Sequence, residues 1–274
     1  MGTHGALSNG TTAAPPKTLE GKVALVTGSG RGIGAGVARE LGARGASVVV
    51  NYRGSAEAAE ALSREIEAAG SKSIAIQGDI ANVEDIKTLF EKTKAHFGKI
   101  DIVVSNSGIE HFGKLDEVTP EEFDKVFAVN TRGQFFVAQQ AYKHLEDGGR
   151  LVLMSSISAH NSIKEHALYA GSKNAVEAFA KNFAKDFGPR RITVNTIAPG
   201  GVKTDMANDV GWKYLPNADE TWTWEQVEAV VSKWTPLGRI GLPQDIGRVV
   251  AFLVGPDGYW INGQNITISG GAGG

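Results

Sequence analysis

Tyr169 and Lys173 stand four residues apart in the run Tyr169-Ala-Gly-Ser-Lys173. On a helix that spacing puts both side chains on one face. A cation beside a phenol favours the phenolate and lowers its pKa, so a tyrosine placed this way can give or take a proton nearer neutral pH. Taken alone, the pair is also what coincidence puts on a helix surface. Two other features add to it. Ser155-Ser156 closes an apolar run, with Ser156 thirteen residues ahead of Tyr169, and the carboxyl ends of strands in open α/β sheets are where ligands bind. Asn130 lies inside a helix-like segment, where asparagine is a weak helix former without another task. Phenol, ammonium, hydroxyl and amide together suit proton transfer at a carbonyl.

A second constellation opens the chain. Thr27-Gly28-Ser29-Gly30-Arg31-Gly32-Ile33-Gly34 follows a short apolar run and precedes a helix-like one. Glycines there permit a tight turn and close approach of backbone to a pyrophosphate, which the N–H groups and dipole of the next helix attract. A glycine-rich string alone is a weak signal, but its place between strand and helix strengthens it. The next strand ends Val50-Asn51-Tyr52-Arg53, with no acid before Glu57. An NAD site carries Asp or Glu at that point for the ribose hydroxyls. Arg31 and Arg53 instead offer two guanidinium groups to a 2′-phosphate, which predicts NADPH. Read without the missing acid, both are ordinary solvated arginines.

These residues need a scaffold. Short apolar runs at 23–26, 47–50, 73–76, 100–104, 150–154, 192–197 and 265–268 alternate with helix-like stretches. Continuous β-branched runs suit strands buried on both faces. Helices are expected over 55–69 and 83–97, each stopped by a glycine, and from Thr119-Pro-Glu-Glu122, a capping sequence with Pro at the first helical position, toward Leu145. Others are expected over 166–187 and 243–253. The fold class that follows is α/β: a single-domain Rossmann-type, doubly wound parallel sheet of about seven strands. One stretch breaks the rhythm. Residues 200–242 hold no clear strand but carry Tyr214 and four of the five tryptophans. An insertion that long before the last helix, at about 203–240, is large enough to form a lid.

Composition narrows the class. The chain has 274 residues, 42% hydrophobic and 21% charged, with a formal net charge of −2. That is a soluble globular profile with no electrostatic reason to meet nucleic acid or an anionic membrane. No cysteine is present, so thiol nucleophiles, disulfides and cysteine metal sites are excluded; no metal is assigned to the site. The first 17 residues lack the apolar core of a signal peptide. Residues 1–18 are expected to be a flexible tail, 19–274 the folded domain, and the cytoplasm the default location.

From about Leu19 to Gly271 the chain resembles the short-chain dehydrogenase/reductase family. The motifs that carry the resemblance are the glycine turn, Gly78-Asp79-Ile80, Asn106-Ser107-Gly108, Asn130, Ser156, Tyr169-x-x-x-Lys173 and Pro199-Gly200 with Thr204-Asp205-Met206. Asn106-Ser107-Gly108 departs from the more usual Asn-Asn-Ala-Gly. The resemblance implies that Tyr169 is the acid in reduction and the base in oxidation. It gives Lys173 the nicotinamide ribose and the lowering of the Tyr169 pKa, and gives Ser156 the substrate oxygen. Asn130 would hold a water linking Lys173 to solvent. Gly28, Arg31, Gly32, Ile33, Gly34, Asn51, Tyr52 and Arg53 would line the phosphate and ribose end. Asp79 and Ile80 would touch adenine, with Asn106, Ser107 and Gly108 beside the adenosine. Pro199, Gly200, Val202 and Thr204 would frame the carboxamide. A homotetramer is implied as well.

Within the family, the stretches around Asn130-Thr-Arg-Gly-Gln-Phe-Phe136, Ala198-Pro-Gly-Gly201 and Tyr214-Leu-Pro-Asn217 resemble fungal reductases of hydroxynaphthalenes and related polyketide aromatics, and fungal steroid dehydrogenases of the same group. The expected reaction is NADPH-dependent reduction of a polyhydroxylated naphthalene or anthracene as its keto tautomer. Tyr214 is the aromatic expected to meet the substrate; the tryptophans are read as lid packing and subunit contact. His160, Asn161 and His166 either shape the pocket or are ordinary loop polars. Steroid or 3-oxoacyl-thioester reduction stands as the enzyme alternative. A non-catalytic NADPH-sensing regulator stands as another, although such proteins usually lose the Tyr or the Lys.

Overall fold

A computed structural model describes residues 15–272 of the chain. The tail expectation falls outside the described residues for 1–14; after it, Leu19 is already buried. Seven parallel strands form one sheet in the order β3-β2-β1-β4-β5-β6-β7. They are β1 (Val23–Val26), β2 (Ser47–Tyr52), β3 (Ser73–Gln77), β4 (Ile102–Ser105), β5 (Arg150–Met154), β6 (Thr193–Pro199) and β7 (Asn265–Ile268). Each lies within two residues of the run that predicted it.

The uniform apolar strands divide by their two-residue period. Ala24, Val26, Val48, Val50, Ile102 and Val104 enter one core, while Leu25, Val49 and Val103 enter another on the opposite face. The first core is covered by α1 (Gly32–Ala43) and α2 (Ala56–Ala68), with the last long helix, Pro243–Val254, beside them. The second is covered by α3 (Val83–Phe97) and by the helices Gln134–His144 and Ala167–Phe187. Helices on both faces leave only the strand ends open, and the order reverses between β1 and β4. That reversal opens a crevice at the carboxyl ends of the strands.

The helix expected from Pro120 to Leu145 is three pieces. α4 (Pro120–Phe127) begins at the predicted capping box, where the Thr119 side chain accepts from Glu122 N and the Glu122 carboxylate accepts from Thr119 N. A π-helical turn, Ala128–Gly133, follows and holds Asn130, and α5 (Gln134–His144) continues. π-turns inside helices occur often at functional sites because they re-aim a side chain. α6 (Ala167–Phe187) carries Tyr169 and Lys173. The insertion contains α7 (Asp205–Val210), a short 3-10 turn (Gly211–Tyr214) and α8 (Trp224–Trp234), and α9 (Pro243–Val254) follows it. A single bridge, Val202 to Gly241, pins the base of the insertion. Among the described residues no helix is long and apolar enough to cross a membrane.

Candidate active site

One cavity of about 920 Å³ runs from the glycine turn to the inner face of the insertion. Its glycine end is held by buried amides. Gly28 has φ +60°, a left-handed conformation that favours glycine. Its N–H donates to Asn51 Oδ1 at 3.0 Å, and Asn51 Nδ2 donates to the carbonyls of Ile76 and Gly78. Asn106 Nδ2 donates to the carbonyls of Thr27 and Gly28 at 2.9 and 3.1 Å. A Cβ on Gly34 would lie 2.6 Å from the Gly28 carbonyl, so helix α1 can approach the turn only as glycine. Asn51 and Asn106 line the cavity and also shape its backbone.

Gly28, Arg31, Gly32, Ile33, Tyr52, Arg53, Asp79, Ile80, Ser107 and Gly108 line the cavity, as do Pro199, Gly200, Val202 and Thr204; Gly34 stands behind the wall. Arg31 and Arg53 are mostly exposed and make only long ion pairs, to Asp205 at 3.7 Å and Asp79 at 4.0 Å. Exposed pairs of that kind contribute about 0–1 kcal/mol, so both guanidinium groups can be recruited by a phosphate. The Thr204 hydroxyl accepts from Ala207 N and caps α7. The Val202 bridge is made through the carbonyl of Gly201 and the N–H of Lys203. A glycine cradle that a Cβ would fill, with one exposed arginine in the turn and another just after the second strand, fits a phosphorylated dinucleotide.

The residues expected to move the proton meet the same cavity. Tyr169 and Ser156 line it, and Lys173 lies buried behind. Lys173 Nζ is 5.6 Å from the Tyr169 ring centre and donates to the Met154 carbonyl at 3.2 Å. Burial lowers its pKa to about 8, against the pull of the Glu110 charge. The Tyr169 phenol moves opposite to the expected direction. Burial pushes its pKa up, Glu110 adds to the rise, and the Ser156 side chain alone pulls down. The expectation considered the ammonium and not the desolvation of a buried phenolate, which here is larger.

Asn130 does not line the cavity. Its Oδ1 accepts from Ile109 N at 2.8 Å, and its Nδ2 donates to Ile109 O at 2.9 Å and Ser172 Oγ at 3.1 Å. It thus ties the segment after β4 to α6. Gly108 lets two groups converge: a Cβ there would lie 3.1 Å from Lys173 Nζ and 3.4 Å from Asn130 Oδ1. Gln134 secures the π-turn to β5 by donating to the carbonyls of Asn130 and Met154 and accepting from Met154 N.

Tyr214 reaches the cavity as expected and docks there. Its hydroxyl donates to Glu110 Oε2 at 2.8 Å, and its ring meets Phe112 edge-on at 4.9 Å. His160 and Asn161 line the cavity; His166 lies behind it, with its ring 4.8 Å from that of Tyr169. Of the tryptophans, Trp224 and Trp234 line the cavity, while Trp260 is 93% exposed. Sequence reasoning missed Glu110 and Glu177. Glu110 sits just beyond Asn106-Ser107-Gly108, past the carboxyl end of β4, a position that could have flagged it. Glu177, which accepts from Ser155 Oγ at 2.6 Å and lies 2.9 Å from His160 Nε2, gave no local signal.

Comparison with known proteins agrees with this geometry. The family described as enoyl-(acyl carrier protein) reductase matches residues 28–273. A hydroxynaphthalene reductase-like protein of Metarhizium brunneum is 55% identical over 94% of this chain and 97% of its own length. The chain belongs to the short-chain dehydrogenase/reductase family. The trihydroxynaphthalene reductase of Colletotrichum orbiculare is 53% identical, covering 93% of this chain and 90% of its own. Among solved members of the family, the angucycline C-6 ketoreductase LanV with bound NADP superposes with a TM-score of 0.84 at 35% identity, over 93% of this chain and 97% of that one.

Proposed function

We propose that this short-chain dehydrogenase/reductase is an NADPH-dependent ketoreductase that reduces the keto tautomer of a polyhydroxylated aromatic polyketide of naphthol or anthrol type. The observation that carries the reading is the place of Tyr169 and Ser156, midway between a glycine cradle flanked by two arginines and a wall bearing Tyr214, Trp224 and Trp234. Aromatic faces of that kind suit a flat ring system, and the relatives named above are a hydroxynaphthalene reductase-like protein, a trihydroxynaphthalene reductase and an angucycline C-6 ketoreductase.

Residues 19–274 act as one reductase unit, with 203–240 as the lid. Arg31 and Arg53 hold the 2′-phosphate, with Tyr52 beside them. Asp79 and Ile80 meet adenine, and Pro199, Gly200, Val202 and Thr204 frame the carboxamide. NADPH, when bound, supplies the hydride. A phenol pushed above its ordinary pKa stays protonated at neutral pH, so Tyr169 holds a proton beside the carbonyl oxygen and passes it on as that oxygen gains charge. Ser156 donates a hydrogen bond to the same oxygen. Lys173 steadies the ribose, and its proton returns the phenol to its starting state with Asn130 beside it. The family's helix-paired homotetramer and a cytoplasmic location complete the reading.

The test is oxidation of NADPH and of NADH against a naphthol-type ketone, a reduced hydroxyanthraquinone, a steroid ketone and a 3-oxoacyl thioester. We expect turnover of the aromatic ketones with NADPH, and a loss of about 10²- to 10⁴-fold in Tyr169→Phe. Turnover of only the steroid or the thioester overturns the substrate. Equal rates with NADH overturn the cofactor assignment. Tight NADPH binding without any turnover supports the sensor instead.

A further inference from the structure

Glu110 is the one carboxylate in the wall beside the proton-transfer residues. Its side chain is only 10% exposed. Burial raises its pKa above the ordinary carboxylate range, although Tyr214, the His111 backbone and Lys173 all act to lower it. An ionised carboxylate has about four acceptor sites. Two are filled here: Oε2 accepts from the Tyr214 hydroxyl at 2.8 Å and Oε1 from His111 N at 3.0 Å.

The neighbouring histidine does not fill a third. His166 has Nδ1 3.0 Å from the His111 carbonyl, and burial lowers its pKa to about 4. A neutral ring that donates from Nδ1 has an acceptor at Nε2. Its Nε2, 3.5 Å from Glu110 Oε1, therefore faces that oxygen as acceptor to acceptor. Lys173 exerts its charge on Glu110 but donates to the Met154 carbonyl. Glu110 is thus a buried carboxyl group with acceptor sites left unfilled, opening on the cavity that Tyr169 also lines. The Tyr214 ring that bonds it meets Phe112 edge-on.

We propose that Glu110 is the specificity-determining residue that reads a ring hydroxyl: its carboxylate accepts a hydrogen bond from a phenolic OH of the substrate while Tyr169 and Ser156 hold the carbonyl. This rests on the aromatic-ketone reading above. It gives a task to a buried carboxyl group that lines the same cavity as Tyr169, Ser156 and Tyr214. A plain ring system in the same place would cover the carboxylate without offering a donor. Sites built to bind a hydroxyl reject analogues that lack it, because the buried partner is left unpaired.

Calorimetric binding to the NADP⁺-loaded full chain separates this role from simple lid docking. The ligands are 1-tetralone and its 5-, 6- and 7-hydroxy derivatives, read by heat whether or not they turn over. We expect at least one hydroxy isomer to bind about tenfold to a hundredfold more tightly than the parent. In Glu110→Met the ratio of hydroxylated to plain affinity falls to within about twofold, and Glu110→Gln, which keeps a neutral acceptor, lies between. If the Met variant does not fold, a severalfold fall in the Gln variant alone decides for the proposal, and no fall decides against it. Equal wild-type affinity for all four ligands, no binding by any of them, or a parallel loss for plain and hydroxylated rings in the variants overturns it. The last result leaves Glu110 as a lid contact only. Failure of these ketones to be reduced counts against the proposed reaction, and the binding ratio still decides the role of Glu110.

Discussion

At the glycine end of the cavity, polar side chains are used on the protein's own backbone; at the lid end, they face one another and the space between. Asn51 and Asn106 bond the carbonyls and N–H groups of the turn and the strands beneath it. Tyr214, Glu110 and His166 meet across 48 to 104 residues of chain and leave acceptors unfilled. The first arrangement suits a ligand whose shape never varies. The second suits one that must be admitted, recognised by its substituents and released. In physical terms, one end is built as a rigid mould and the other as a docked contact whose strength a ligand can change.

The contrast can be broken from either side. The largest effect is expected from Gly34→Ala, which drives a methyl toward the Gly28 carbonyl, 2.6 Å from the ideal Cβ position. Overpacking of that kind costs about 1–3 kcal/mol, and the turn can relax only by giving up its shape. Thermal melting and NADPH titration should show lower stability together with a large loss of cofactor affinity. A normal NADPH affinity in this variant would show that the turn is not a rigid mould.

Tyr214→Phe is expected to do less, and elsewhere. It removes the 2.8 Å bond to Glu110 while keeping the ring against Phe112. KM for an aromatic ketone should rise about tenfold, equivalent to ~1.4 kcal/mol, with NADPH affinity unchanged. A fall in NADPH affinity as large as the change in KM would mean that the two ends are one mechanical unit.

The smallest effect concerns Lys173 and has a defined pH window. Its folded pKa, about 8, lies below the ordinary 10.5. Between these values the unfolded chain binds more protons, so wild-type stability gains with rising pH from this group. The contribution is complete above about 10.5 and lost as pH falls through about 8. Lys173→Met, measured by denaturant midpoint without cofactor, should therefore be more stable than wild type at pH 7. The advantage should shrink as pH rises from about 8 toward 10.5. A pH-independent difference would place the lysine in a better-solvated setting than the structure gives it.

Much of the scaffold was legible because it rests on local rules. Continuous β-branched runs could satisfy their burial only between two helical layers, and the glycine turn, the capping box at Thr119 and the Tyr169–Lys173 spacing each state a backbone requirement within a few residues. The π-turn around Asn130 was not legible, since a helix and a helix with one extra residue per turn share a composition. Nor was the direction of the Tyr169 pKa: spacing reveals a neighbouring charge, but only the folded chain decides how much water is left around a phenol.

What the sequence by itself determined is the set of groups and the order of the elements that carry them: a glycine cradle, two arginines without a competing acid, and a phenol, an ammonium and a serine hydroxyl at strand and helix ends. Tertiary structure alone decided which of these touch the cavity and which brace it. It placed Asn130 and Lys173 behind the walls, turned the side-chain amides of Asn51 and Asn106 onto the backbone beneath the cavity they line, and brought forward Glu110, which no motif had marked. The reason is that hydrogen-bond satisfaction is a three-dimensional condition. Whether a buried carboxylate is fully paired or still short of a donor depends on residues from β4, α6 and the lid meeting at one point, and no stretch of chain shorter than the fold contains that information.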